Sequence, residues 1–138
     1  MKFDDRADAL GVAAAKLAVS LAVLAAGFRA VSDDDYARVV IAQRFAEAPA
    51  LDPSGTSWLP LPFWIYGTAF ATFGGSLAVA RGVAIALALG SMWLLLVAAR
   101  WLGAGRFGAV AGVLVAAVFP WSAWLGAAPV PEVPSAAL

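Results

Sequence analysis

Three stretches of this chain are so apolar, and so near twenty residues long, that they restrict it to folds that place helices in hydrocarbon. They run from about Leu10 to Ala30, from about Leu77 to Ala99 and from about Phe107 to Leu125. A helix rising 1.5 Å per residue needs roughly 20 such residues to cross a core of about 30 Å. The composition agrees: 63% of the 138 residues are hydrophobic and 13% are charged, against about 45–50% and 25% in soluble domains. The expected fold class is all-α integral membrane, with about three transmembrane helices. Residues 1–138 are read as one membrane unit, with residues 31–76 as a loop between the first two spans holding one or two interfacial helices. Arg100-Trp101-Leu102-Gly103-Ala104-Gly105-Arg106 reads as a tight turn between antiparallel helices. Gly126 and the run Pro129-Val130-Pro131-Glu132-Val133-Pro134 close the third span.

The residue inventory narrows the chemistry. There is no cysteine and no histidine, so disulfide frameworks and thiolate metal sites are excluded. A general base would have to be a carboxylate or, less suitably, lysine or tyrosine. A bound metal would be a hard, oxygen-ligated ion such as Mg²⁺ or Mn²⁺, which is possible and not required. The formal net charge is zero and no basic stripe is present, so nucleic acid is not an expected partner.

Orientation follows from lysine and arginine in the short loops. An inside N-terminus puts Lys2, Arg6, Arg100 and Arg106 on the cytoplasmic side and Arg38 and Arg44 outside, with Arg29 and Arg81 at the borders. Lys16, inside the first stretch, is expected to snorkel inward and carry no function. A cleaved signal peptide is the alternative for that stretch, with Ala25-Ala26-Gly27 as the site. Asp4, Asp5 and Asp8 spoil the positive leader it would need.

The loop between the first two spans holds most of the information. Asp33, Asp34 and Asp35 lie where the first helix leaves the membrane, and carboxylates there are costly unless hydrated, paired or bound to a ligand. Ser32 and Asp35 fit a capping box opening a helix from Asp33 to about Ala48. That helix would lay Ala37, Ile41, Phe45 and Ala48 on the bilayer, with Arg38 and Glu47 turned away. Pro49 stops it, and residues 51–57 read as a turn. Trp58-Leu59-Pro60-Leu61-Pro62-Phe63-Trp64-Ile65-Tyr66 then opens a second interfacial or re-entrant helix, ended by Gly74-Gly75.

In order and spacing these motifs resemble the GT-C glycosyltransferases, closest in pattern to the protein mannosyltransferase and aminoarabinose transferase relatives. Asp33-Asp34-Asp35-Tyr36 stands for the acidic motif of the first outer loop, and Pro60-Leu61-Pro62-Phe63-Trp64 for the proline–aromatic segment. Ala80-Arg81-Gly82 opens the next span as an A-R-L would, and Glu132 falls where a second outer acidic motif is expected. The resemblance covers nearly the whole chain, though P-L-P replaces P-P. Members of that superfamily carry more spans and an outer domain. The chain is therefore expected to be the N-terminal part of such an enzyme, inactive in isolation and seated in the bacterial cytoplasmic (inner) membrane.

The resemblance implies transfer of a sugar from a polyprenyl-phosphate donor to a lipid, glycan or protein acceptor on the outer face. Asp33 would be the base and Asp34 its neighbour for acceptor or metal binding. Arg81, and less directly Arg38, would partner the donor phosphate, and Glu132 would complete an acceptor or metal site. Plainer readings stand beside these. The aspartates could only cap a helix, Arg81 could only reach headgroups, Glu132 could lie in a solvated tail, and the aromatic residues near Pro60 could be interfacial anchors. There are two rival functions: a small non-catalytic three-span anchor or assembly subunit, and a transporter fragment. A transporter predicts charge near the bilayer midplane, whereas 84–96 and 108–119 hold none.

Overall fold

The computed structural model describes residues 3–129, with side chains from residue 6 onward. In these residues the chain is helical without strands: α1 (Phe3–Ala25), α2 (Asp34–Glu47), α3 (Pro60–Phe73), α4 (Leu77–Trp101), α5 (Arg106–Val118) and α6 (Pro120–Leu125).

The first helix begins before its apolar stretch and ends before the expected Ala30. Acidic residues near a helix N-terminus suit its dipole, so the polar start joins the helix. Its end is set by Gly27, at φ +92°. There the Gly27 N–H donates to the Leu24 carbonyl at 3.0 Å and the Phe28 N–H to the Val23 carbonyl at 3.2 Å. This is a Schellman turn, in which a residue with a Cβ would be strained.

Helices α1, α4 and α5 bury residues spaced four apart: Val12, Lys16 and Ser20 on α1, Ala80, Ala84 and Ala88 on α4, and Ala109, Val113 and Ala117 on α5. One core cluster joins Val12, Leu96, Ala109 and Val113, with Ala9, Met92 and Ala99 against it. The start of α1 therefore meets the end of α4 and the start of α5, so α4 runs antiparallel to both neighbours. Most of the seam is alanine, and small side chains let helix backbones approach closely. At that end Arg106 grips Asp8 with two parallel bonds, Nε to Oδ2 at 2.8 Å and Nη2 to Oδ1 at 2.9 Å, the geometry of a bidentate guanidinium–carboxylate pair.

The outward faces are as apolar as the seam. In the most apolar 18 residues of Arg6–Ala25 and of Leu77–Trp101 only 17% are buried, and Leu10, Leu21, Trp93, Leu95, Trp101 and Phe107 stand exposed. A core helix of a soluble protein would hide such a surface. Two helices are thus long and apolar enough to cross a membrane.

The third expected span, residues 107–125, is not one helix. Pro120 has no N–H and forces the preceding residue out of the α region; Phe119 sits at φ −58°, ψ 130°. Phe119 ends α5 and caps α6, with Pro120 at the first helical position, where its missing N–H does no harm. What remains of α5 runs only from Arg106 to Val118, short of a span by itself.

At the other end of the bundle, α2 and α3 pack on one another and on the start of α4. Val39, Ala42, Tyr66, Phe70 and Ala80 form their common core. The buried face of α2 is therefore Asp35, Val39 and Ala42. The expected face differs: Ala37 and Ala48 are exposed, while Ile41 and Phe45 are half-buried. A partner helix, rather than a bilayer, decided which side turned inward. The two helices meet closely at Gly67, where an added Cβ would lie 3.0 Å from the Ala42 carbonyl and collide with the Phe45 ring. Gly67→Val is expected to loosen this hairpin by about 1–3 kcal/mol. Thermal unfolding of the variant beside the parent chain, followed by circular dichroism, measures it.

Candidate functional site

The turn between α1 and α2 gathers the charged residues at this end of the bundle. Asp33 adopts helical angles at the N-cap of α2 and makes no side-chain capping bond. Asp33 and Asp34 are exposed, and Asp35 is 1% exposed. The expected Ser32–Asp35 capping box does not form. The Asp35 carboxylate instead reaches back past Ser32, accepting the Val31 N–H on Oδ2 at 2.7 Å and Arg38 Nη1 on Oδ1 at 3.2 Å. Asp35 is occupied as a structural pin, which leaves Asp33 and Asp34 as the carboxylates open to a ligand.

Arg38, one turn on, lies between charge and aromatic surface. Its guanidinium sits 5.2 Å from the centroid of Trp58, within cation–π range. Trp58 stacks on Phe63 with centroids 6.1 Å apart. Behind them lies a cavity of about 10 Å³ lined by Arg38, Val39, Pro62, Phe63, Tyr66 and Pro129, about the room one water takes. The Tyr66 hydroxyl is buried and finds no hydrogen-bond partner among the described residues. Burial, and secondarily the nearby Asp35 charge, raise its pKa above the ordinary tyrosine value, with Arg38 opposing.

Arg81 arrives from the first turns of α4. Its Nη2 donates to the Arg29 carbonyl at 3.3 Å, and its Nε is buried without a partner among the described residues. The backbone of residues 29–31 is thus held from both sides, by Arg81 at Arg29 and by Asp35 at Val31. The structure brings Asp33, Asp34, Arg38 and Arg81 to one end of the bundle, and Glu132 lies outside the described residues. No group of three acidic side chains that could hold a metal ion is found among the described residues. A wider groove of about 490 Å³ opens beside Gln43, Ala46, Glu47, Phe70, Ala71 and Gly75; Glu47 is its one charged lining residue.

Sequence reasoning passed over the roles of Asp35 and Tyr66. The signals were present. Asp35 and Arg38 are spaced i,i+3, and Phe63, Tyr66 and Phe70 recur at helical spacing.

These features define a class: an all-helical chain, in its described residues, with two helices long and apolar enough to cross a membrane and a charged cap at one end. Compared with protein-family models, with curated proteins and with solved structures, the chain matches none.

Asp35→Asn is expected to cost about 1–3 kcal/mol, the range for weakening a buried, charge-assisted hydrogen-bond pair, whereas Asp33→Asn and Asp34→Asn, which remove exposed charges at the start of α2, cost less than about 1 kcal/mol each. Denaturant unfolding of the three variants separates the pin from the open carboxylates. Because the Tyr66 pKa is raised in the folded state, its contribution to stability is full below the unfolded value of about 10 and is lost as pH climbs beyond it. Tyr66→Phe is expected to remove that alkaline loss and, by deleting an unpartnered buried hydroxyl, to hold or raise stability at neutral pH. Melting temperatures across pH 7–12 give the comparison.

Proposed function

We propose that this chain is the N-terminal part of a membrane glycosyltransferase of GT-C type, moving a sugar from a polyprenyl-phosphate donor to an acceptor at the membrane surface. The observation that carries the reading is the division of labour within the acidic turn. Asp35 is buried and engaged by Val31 and Arg38, while Asp33 and Asp34 stay exposed at the end of the bundle that also holds Arg38 and Arg81. An open carboxylate is what an acceptor hydroxyl or amine needs as a base, and a guanidinium suits a departing lipid phosphate. The acceptor oxygen or nitrogen would bond to the anomeric carbon as the carbon–phosphate oxygen bond breaks. Its proton would pass to Asp33, and the lipid phosphate would leave against Arg81 or Arg38.

In this reading α1 and α4 cross the bilayer and α5 with α6 makes a third, interrupted crossing. At about 1.5 Å per residue the two pieces add to nearly the thickness of the hydrocarbon core. The N-terminus lies inside, the cap of α2 and α3 lies on the outer face, and the membrane is the bacterial cytoplasmic one. The second reading is a non-catalytic three-span anchor or assembly subunit. The structural role of Asp35 favours it to this extent: one of the three aspartates is explained without chemistry.

The test uses membranes from cells expressing the enzyme of which this chain is proposed to be the N-terminal part, supplied with polyprenyl-phosphate sugars, and reads release of polyprenyl phosphate; the 138 residues alone are expected to give none. Asp33→Asn is expected to lower turnover by about 10²–10⁴-fold, the contribution of a positioned base, with unchanged helicity. Activity undiminished in both Asp33→Asn and Asp34→Asn, or no turnover of any polyprenyl-phosphate sugar, would sink the transferase reading in favour of the anchor.

A further inference from the structure

Lys16 does not snorkel. It sits near the middle of the apolar stretch Arg6–Ala25, about 15 Å from each end at 1.5 Å per residue. Its four-carbon stem covers less than half of that. Its side chain is 1% exposed, and no described carboxylate pairs with it.

Its Nζ donates to the Ser122 carbonyl at 2.6 Å and lies 3.3 Å from Ser122 Oγ. Ser122 belongs to α6, and its carbonyl already accepts the Gly126 N–H at 3.0 Å; at the C-terminal end of a helix it carries partial negative charge and can take the ammonium as a second donor. An ammonium there acts as a C-terminal cap supplied by another helix. One turn along α1, Ser20 Oγ donates to the Gly126 carbonyl at 3.3 Å. Lys16 and Ser20 thus form two rungs between α1 and the end of α6. The fit is close: a Cβ on Gly126 would lie 2.6 Å from Lys16 Nζ and 3.1 Å from the Ser122 carbonyl.

These rungs set the course of the chain beyond α6. Pro120 has broken the helix, so α6 does not take its direction from α5 alone, although the Ala123 N–H still bonds the Phe119 carbonyl at 2.9 Å. After α6 the chain continues through Ala127 and Ala128, both buried. Ala128 joins a cluster with Ala88, Phe28, Leu87 and Leu125. Pro129 then becomes a wall of the cavity shared by Arg38 and Tyr66.

We propose that Lys16 is a positioning residue: its ammonium, bonded to the end of α6 in the middle of the bundle, latches the broken helix so that Ala128 and Pro129 close over Arg38 and Tyr66 in the distant cap. The latch does not depend on the transferase reading. It joins the centre of the bundle to its charged end through the buried Ala127 and Ala128. Global stability and latching are separable. An apolar side chain of similar length removes the desolvation cost of the lysine together with the bond that aims α6, so the labelling rate at a second site in the seam reads global stability separately.

The chain has no cysteine, so a single introduced thiol reports on one place. Ala128→Cys marks the strap and Val113→Cys marks the seam of α1, α4 and α5, both sites being buried. Maleimide labelling rates are measured for each, in lipid nanodiscs, with and without Lys16→Met. The expected result is at least a tenfold faster reaction at position 128 and an unchanged rate at position 113. Gly126→Ala, which keeps the lysine but crowds its ammonium, is expected to act in the same direction and replaces Lys16→Met if that variant does not fold. In both, the Tyr66 phenol should titrate closer to an ordinary tyrosine. A strap that stays protected overturns the proposal, and so does faster labelling at both positions together, because Lys16 would then support the bundle as a whole.

Discussion

Everything in this structure rests on how closely α1, α4 and α5 approach one another. Their buried residues recur every fourth position, and on α4 three of them are alanine, at 80, 84 and 88. Where the surroundings are as apolar as the side chains, burying hydrocarbon yields little, and helices hold together through close packing and internal polar bonds. The seam supplies the packing. It also fixes direction, setting α4 against its two neighbours and bringing the end of α1 and the start of α4 to one level. The cap of α2 and α3 is built at that level.

Polar groups inside such a bundle must be met from within the chain, and this requirement explains its two least ordinary features. Pro120 interrupts a helix in apolar surroundings, and Lys16 supplies a donor to the carbonyl end of α6, the piece beyond the break. The turn after α1 leaves a free Val31 N–H, and Asp35 supplies the acceptor. In both cases a charge that would be costly alone is stabilised by a backbone group: Asp35 meets the Val31 N–H, and Lys16 adds a second donor to a Ser122 carbonyl that also accepts the Gly126 N–H. The charges that look most out of place are those that hold the breaks in the helices.

The cap treats its three neighbouring aspartates unequally. Asp35 is consumed by structure, and that consumption is what leaves Asp33 and Asp34 oriented toward solvent. Tyr66 is left buried beside Arg38, its hydroxyl unpartnered among the described residues, in a small cavity that Pro129 helps to wall. A surface able to bind and a core able to hold it therefore come from adjacent residues of one helix start.

The sequence by itself determined the helical class, the two long apolar helices, the helix opened by the aspartates, the stop at Pro49, and the proline start and glycine end of α3. These come from local rules: apolar run length, the fixed φ of proline and the tolerance of glycine for positive φ. The start of α1 was not legible, because apolar content marks a span and not the limits of a helix. The break at Pro120 was legible in the missing N–H and was masked by the apolar residues on either side. Only the tertiary structure decided which of Asp33, Asp34 and Asp35 is buried, since that depends on where the Val31 N–H and Arg38 lie. It also decided which face of α2 turns inward, because α3 and not a membrane covers it. Lys16 shows the limit most clearly. Its position along the helix is local information, but its partner, Ser122, stands 106 residues away, and only folding brings the two together.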